Sequence, residues 1–156
     1  SRQDVKVNFE NVGASVVDTI EVDSKNVHTI FEYDVIYGMG GDVKPLLEDL
    51  QACNFRENLV KFLKKGIYIG ESAGSIILAD DVKWLYDIKK GTKPKYDVVL
   101  NSYKGLGLTT KNIFPHFNAI SEELKEKTRF YEKQNNIKIT PLNDGEFILE
   151  YIKKYG

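Results

Sequence analysis

The segment that most constrains the fold of this chain is a serine in a glycine-bounded turn. Residues 70–74 read GESAG, the apolar residues 67–69 (IYI) precede them, and the helix-prone residues 75–79 follow. A sharp turn from strand to helix needs small flanking residues, because the backbone must bend there without steric clash. Such a turn exposes the hydroxyl of Ser72 beside the N–H groups of a helix N-terminus. We therefore predict that Ser72 is a nucleophile, rather than an idle serine in a glycine-rich turn.

Short apolar segments alternate with helical patterns along the chain. We expect extended segments at residues 14–22, 34–37, 67–69, 113–117, 137–140 and 146–152, the last two flanking a tight-turn signal at residues 143–145. We expect helices at residues 5–12, 45–52, 58–65, 75–79 and 121–134. Residues 82–103 show no clear pattern, except that the lysine-rich residues 89–95 predict a solvated loop. This alternation predicts an α/β fold with a mainly parallel sheet flanked by helices, and no linker or repeat divides the single domain expected over residues 1–156.

Composition excludes several function classes. The chain has 22 Lys and Arg against 23 Asp and Glu, so bulk charge does not favour binding to nucleic acid or to an anionic membrane. Its one cysteine, Cys53, cannot form an internal disulfide, and we predict a packed thiol there. No apolar run approaches the length of a membrane span, so we expect a cytoplasmic protein. No cluster of His, Cys and carboxylates has metal-ligand spacing, so we expect neither a metal nor a cofactor.

Nucleophilic catalysis by a serine needs a general base, and the sequence offers two histidines. His116 follows an apolar segment at the expected end of a strand, where the loops of α/β folds collect functional groups. His28 lies far upstream on a short amphipathic stretch, which is more typical of a surface residue. We therefore predict that His116 is the base, with a capping or packing histidine as the alternative.

A catalytic triad also needs a carboxylate that orients the imidazole. Asp144 is the best-placed candidate, because it lies in the turn signal after the extended segment 137–140. Judged by sequence spacing alone, three other carboxylates remain candidates for this role: Glu71, Asp80 and Asp87. With Asp144 the order along the chain is Ser, His, acid, which differs from the order Ser, acid, His of α/β-hydrolases.

An oxyanion hole needs two N–H groups near the nucleophile. The N–H of Ala73, directly after Ser72, is the first candidate. The second lies in the glycine loop at residues 38–41 (GMGG), where Gly40 or Gly41 lets the backbone approach a ligand closely. As a phosphate cradle this loop is a weak match, because it has neither the dinucleotide-binding nor the P-loop spacing.

Four separated segments together resemble the dipeptidase E (α-aspartyl dipeptidase) family of serine peptidases, which includes cyanophycinase. The segments are residues 34–41 (DVIYGMGG), 70–77 (GESAGSII), 115–117 (PHF) and 141–145 (PLNDG). The nucleophile turn is the most specific of the four. The sequence departs from the family pattern at Met39, in place of a glycine, at Asp42, where Asn is usual, and at Asp144, where the dipeptidase has Glu.

The resemblance implies a class I glutamine amidotransferase-like, flavodoxin-like fold. It implies hydrolysis of small peptides, Asp-Xaa dipeptides among them, by a triad of Ser72, His116 and Asp144. Arg129 falls where the aspartyl dipeptidase has an arginine that binds the aspartyl side chain of the substrate. Glutamine amidotransferase activity is not expected, because those enzymes need a cysteine at the position of Ser72. Family members begin with a core strand that has no counterpart here, so we expect the sheet to lack that N-terminal strand.

Two other functions stay open from the sequence. One is a catalytically silent binding module that kept the fold, and the other is a small esterase with the same triad. A small peptide is the expected partner, whereas nucleic acid and membranes are not. The sequence allows a homodimer without requiring one, and it does not name the physiological peptide.

Overall fold

Helices and strands alternate along the chain in this computed structural model, which describes residues 1–152. The helices are α1 (Arg2–Asn11), α2 (Val43–Ala52), α3 (Phe55–Phe62), α4 (Ala73–Ile76), α5 (Lys83–Lys89) and α6 (Glu122–Asn135). The strands are β1 (Val35–Gly38), β2 (Ile67–Gly70), β3 (Asn112–Pro115) and β4 (Ile139–Leu142). Short 3-10 turns lie at Val27–Glu32, Pro94–Tyr96 and Phe117–Ala119.

The four strands form two parallel pairs. β1 pairs with β2 so that Gly38 lies opposite Gly70, and β3 pairs with β4 so that Pro115 lies opposite Leu142. Helices connect the members of each pair, as a parallel crossover requires: α2 and α3 join β1 to β2, and α6 joins β3 to β4. The predicted α/β fold with parallel pairing is therefore confirmed. Within residues 1–152 the strands form two separate two-stranded sheets rather than one continuous ladder, and α4 packs against both.

One apolar core packs the helices against the strands. Its largest fully buried side chains are Phe62 on α3 and Phe114 on β3. Leu47 on α2 and Ile88 on α5 belong to the same cluster, which explains the helical spacing of the apolar residues around them. Cys53 is 4% exposed within this core, so the predicted packed thiol is confirmed.

The helix predictions are confirmed with shifts of a few residues. α1 ends at Asn11, shortly before Gly13, whose φ of +101° is a conformation that favours glycine. α6 begins after Ser121, whose side chain accepts a hydrogen bond from the N–H of Leu124. Residues 82–103, which showed no clear sequence pattern, contain α5.

Two segments predicted as extended are not strands of a sheet. In residues 14–22 the half-buried side chains include Ala14, Val17 and Ile20, which are spaced by three, whereas a strand in a sheet buries every second residue. In residues 146–152 the half-buried side chains are Ile148 and Ile152, Phe147 is 85% exposed, and the segment pairs with no strand among the described residues. Both predictions are wrong because a run of strand-forming residues does not by itself supply a partner strand for a hydrogen-bonded ladder.

No helix within residues 1–152 is long and apolar enough to cross a lipid bilayer. The predicted single domain extends over residues 153–156, which lie outside the described part of the chain, and it stays a prediction.

Candidate active site

Ser72 lies in a strained turn between β2 and α4. Its backbone has φ +51° and ψ −114°, a conformation that residues other than glycine rarely adopt. The turn is so tight that a Cβ atom on Gly70 would lie 2.4 Å from the carbonyl oxygen of Gly74. A Cβ atom on Gly74 would lie 2.2 Å from the carbonyl oxygen of Gly38, at the end of β1. Glycine is therefore required on both sides of Ser72, and the predicted strand–turn–helix is confirmed.

The glycine loop after β1 lies against Ser72. A Cβ atom on Gly40 would lie 3.1 Å from the Cβ of Ser72 and 3.7 Å from its Oγ. Gly41, with a φ of +143°, lines the same cavity as Ser72. Ala73 is the first residue of α4, where backbone N–H groups have no acceptor within the helix. The three residues predicted for the oxyanion hole therefore lie around Ser72, and their role stays a prediction.

His116 and Asp144 form a pair just beyond the ends of two neighbouring strands. β3 ends at Pro115 and β4 at Leu142, which lie opposite each other. The Nδ1 atom of His116 lies 2.5 Å from the Oδ1 atom of Asp144. Asn118, which no sequence pattern singled out, accepts a 2.8 Å hydrogen bond from the N–H of Asp144. The contact at Nδ1 leaves Nε2 as the nitrogen that can exchange a proton with a nucleophile.

Two of the three rival carboxylates, Glu71 and Asp87, have other hydrogen-bond partners. Glu71 accepts a 2.8 Å hydrogen bond from the hydroxyl of Tyr37, and burial together with this bond raises the pKa of Tyr37 to about 12. Asp87 accepts hydrogen bonds from a lysine one turn earlier on α5 and from a tyrosine on α6. None of the three rivals hydrogen-bonds His116 within residues 1–152, so Asp144 is the carboxylate that the fold brings to this histidine.

Ser72 and His116 line one cavity of about 380 Å³. That volume falls within the usual range for small-ligand sites, roughly 300–1,000 Å³. The hydrogen bonds of residues 1–152 do not include one from the Ser72 Oγ to His116, and catalytic bonds of this kind often form only in the complex with substrate. His28 is exposed on the turn Val27–Glu32, outside the lining of this cavity, so its prediction as a surface residue is confirmed.

The cations that line the cavity are lysines, and Arg129 is not among them. Arg129 is exposed on α6, and its contact with a substrate stays a prediction. Lys89, Lys93 and Lys95 line the cavity. Residues 90–95 are exposed, so the solvated loop predicted for residues 89–95 is confirmed except at Lys89, which is half-buried at the end of α5. The reason is α5, whose buried apolar residues anchor its last residue, Lys89, at the cavity.

The remaining charge at the cavity is one carboxylate, Asp42. Its Oδ1 atom lies 2.6 Å from the Nζ atom of Lys95, and this hydrogen bond raises the pKa of the Lys95 ammonium. The residue that departs from the family's usual Asn therefore has a compensating cation. In the described range of the chain, no group of three or more His, Cys, Asp or Glu side chains could hold a metal ion.

Known proteins resemble this chain over most of its length. Residues 2–152 match the sequence model of peptidase family S51. An uncharacterized peptidase of Listeria innocua, Lin0382, is 26% identical over 146 residues, which are 90% of this chain and 68% of that protein. Peptidase E of Streptomyces coelicolor is 27% identical over 125 residues, which are 75% of this chain and 49% of that protein. The chain thus spans from about half to two thirds of the length of these curated relatives.

The fold is similar to that in a crystal structure of a Listeria monocytogenes EGD-e protein assigned to Peptidase E. The TM-score is 0.65 at 24% identity, and the match covers 95% of this chain and 76% of that one. This likeness supports the α/β fold, while the family match extends over nearly all of the described residues. The resemblance found in the four sequence segments is therefore confirmed, and the chain belongs to peptidase family S51, the dipeptidase E family of serine-type peptidases.

Proposed function

We propose that this protein hydrolyses small peptides with a catalytic triad of Ser72, His116 and Asp144. The observation that carries the proposal is the shared cavity: Ser72 and His116 both line it, and Asp144 lies 2.5 Å from the Nδ1 atom of the same imidazole. Membership of family S51 supports the peptidase class. The family match gives the enzyme class, and the proposal specifies the catalytic residues and the substrate.

The reaction starts at the Oγ atom of Ser72. The Nε2 atom of His116 takes the hydroxyl proton while Oγ attacks the carbonyl carbon of the scissile peptide bond. The carbonyl oxygen becomes an oxyanion, which accepts hydrogen bonds from the N–H of Ala73 and from that of Gly40 or Gly41. The C–N bond then breaks, and His116 gives its proton to the leaving amine. Water, deprotonated by His116, then attacks the acyl carbon. The C–Oγ bond breaks, His116 returns the proton to the Oγ atom of Ser72, and the acid product leaves.

Asp144 acts through His116. A carboxylate at Nδ1 keeps the proton on that nitrogen, so the lone pair of Nε2 points to the nucleophile. The same negative charge stabilises the imidazolium that forms once the proton of Ser72 has moved. The hydrogen bond to Asn118 holds the backbone of Asp144, which makes Asn118 a positioning residue.

Peptides with an N-terminal acidic residue, such as Asp-Xaa dipeptides, are the proposed substrates. A cavity of about 380 Å³ restricts the substrate to a small peptide. Its lining holds four lysines against one aspartate, and this excess of positive charge favours a ligand that carries a carboxylate. Arg129, to which the resemblance assigns the aspartyl contact, is part of this proposal as a further cation.

Turnover of a dipeptide and of a matched ester tests the function. We expect the wild-type protein to hydrolyse Asp-Leu, measured by release of the free amine, and Ser72→Ala to show no hydrolysis. Ser24→Ala, which changes an exposed serine, is the matched control and should keep the wild-type rate. Turnover of the ester alone would make the protein an esterase, and no turnover of either by the folded protein would make it a silent binding module. Both results would contradict the proposed peptidase.

A further inference from the structure

The cavity beside Ser72 and His116 carries more positive than negative charge. Its lining includes four lysines and one carboxylate, namely Lys44, Lys89, Lys93, Lys95 and Asp42. Two of the four lysines are paired, since the Nζ of Lys95 lies 2.6 Å from Asp42 and that of Lys44 lies 2.7 Å from Glu48. The excess charge therefore belongs to Lys89 and Lys93.

Lys89 is the better fixed of these two cations. Its ammonium donates a 3.2 Å hydrogen bond to the hydroxyl of Tyr96 and lies 4.8 Å from the centroid of that ring. It also lies 5.4 Å from the centroid of the Phe114 ring, which is 1% exposed. The Lys89 side chain is half-buried and forms no ion pair within residues 1–152, whereas Lys93 is exposed.

This setting suits Lys89 to an anionic ligand. An ammonium has three N–H donors, and the Tyr96 hydroxyl accepts from one of them, so two remain for a ligand in the cavity that Lys89 lines. The rings of Tyr96 and Phe114 shield the cation from water, which strengthens its attraction for a carboxylate. Phe114 precedes His116 by two residues, so the contact with this ring places the Lys89 ammonium near the end of β3 that leads into His116.

We propose that Lys89 is a specificity-determining residue that binds a carboxylate group of the peptide substrate in the cavity of Ser72 and His116. The inference rests on the proposed peptidase function and assigns substrate selection within it. The carboxylate belongs to an acidic side chain or to the C-terminus of the peptide, and the chemistry at Lys89 is the same for both. Leaving a charged ligand without its partner in a shielded site is costly, so the selection is strong.

Four dipeptide substrates test this role: Asp-Leu, Asn-Leu and the C-terminal amides of both. Lys89→Met removes the charge and keeps an apolar side chain against the aromatic rings. If the side-chain carboxylate is bound, kcat/KM should fall by about 10²-fold for the two Asp substrates and by less than about threefold for the two Asn substrates. If the C-terminal carboxylate is bound, the loss should follow the free acids and spare the amides. An equal loss for all four substrates, or no loss for any, would overturn the proposal.

Three further variants control the experiment. Lys90→Met removes a neighbouring exposed lysine that does not line the cavity, and it should leave all four rates unchanged. Lys89→Arg keeps a cation and should recover most of the activity lost in Lys89→Met. Arg129→Ala tests the other candidate cation. A loss confined to Arg129→Ala, with Lys89→Met at the wild-type rate, would overturn the role of Lys89 and return selection to Arg129.

Binding of succinate separates this proposal from the peptidase function, because it needs no turnover. In titration calorimetry the wild-type protein should bind succinate more tightly than the neutral succinamide, and Lys89→Met should weaken succinate binding by about tenfold or more. Equal succinate binding by both proteins, or no binding, would overturn the role of Lys89 even if peptides are hydrolysed. Binding that depends on Lys89, without hydrolysis of any peptide, would instead refute the peptidase and leave the carboxylate site standing.

Discussion

The Nδ1 atom of His116 lies 2.5 Å from the Oδ1 atom of Asp144, although 28 residues separate the two along the chain. The parallel register of β3 and β4 explains this contact, since Pro115 lies opposite Leu142 and the residues that follow both strands share one edge of the sheet. The pair is thus a product of strand pairing and not of a local motif. The proposed triad depends on this contact.

Ser72 and His116 should act as a unit. Ser72→Ala and His116→Ala are each expected to abolish peptide hydrolysis, because the nucleophile needs its base and the base acts only on the nucleophile. The double variant should therefore be no slower than either single variant. His116→Asn is the gentler change, since His116 has a φ of +56° and Asn tolerates that conformation. Rates on Asp-Leu, with circular dichroism as the control for folding, measure the effect. Wild-type rates in both His116 variants would refute the assignment of His116 as the general base.

Asp144→Asn should slow hydrolysis by about 10²- to 10⁴-fold, because an amide at this position stabilises the wrong imidazole tautomer. Glu146→Gln, which changes an exposed carboxyl two residues later, should have no effect and is the matched control. Measured kcat values decide the matter. If Glu71→Gln or Asp87→Asn slowed hydrolysis while Asp144→Asn did not, the triad carboxylate would be that rival residue and not Asp144.

Gly74→Ala should destabilise the fold by at least about 2 kcal/mol, because the added Cβ atom would lie 2.2 Å from the carbonyl oxygen of Gly38. Gly91→Ala is the control for backbone strain, since Gly91 has a φ of +81° and open space around it. That variant should lose only about 1–2 kcal/mol. Urea unfolding compares the two. If Gly74→Ala is as stable as Gly91→Ala, the close approach of α4 to β1 is incorrect.

The Tyr68 hydroxyl should make the free energy of unfolding depend on pH. Its hydroxyl donates a 2.8 Å hydrogen bond to the carbonyl oxygen of Gly74, and burial raises the pKa of this phenol above its ordinary value of 10.0. Above that pH the unfolded chain releases a proton that the folded state retains, so the free energy of unfolding falls as pH rises. In Tyr68→Phe this decline should be shallower by up to about 1.4 kcal/mol per pH unit. The variant should also be less stable by about 1 kcal/mol at neutral pH.

Urea unfolding of wild type and Tyr68→Phe between about pH 7 and pH 11 measures both effects, and the pH range follows from the ordinary pKa of tyrosine. Parallel stability curves over the alkaline range would show that the Tyr68 hydroxyl titrates normally in the folded protein.

Local sequence patterns were sufficient to predict the nucleophile turn. Small residues around a serine between an apolar strand and a helix allow few geometries, and the turn at Ser72 has the expected one. Strand pairing is different, because it depends on residues far away in the chain. Residues 14–22 have the composition of a strand, but no partner strand lies beside them in the described structure.

The places of Lys89 and Asn118 in the site could not be predicted, because they also depend on contacts between residues that are distant in the chain. A run of lysines is usually a solvated surface, and only the packing of α5 brings Lys89 to the aromatic rings beside His116. Asn118 matters because the register of β3 and β4 brings Asp144 next to it. A single sequence does not contain that register.

Labelling of Ser72 by a fluorophosphonate probe tests the central claim most directly, because the probe reacts with a serine that a base activates, forming an O–P bond with loss of fluoride. We expect a single label on the peptide that contains Ser72, located by mass spectrometry, with none in Ser72→Ala. In His116→Asn the labelling rate should fall by at least about 10²-fold. Absence of label from the folded wild-type protein, or unchanged labelling of Ser72→Ala, would contradict the account.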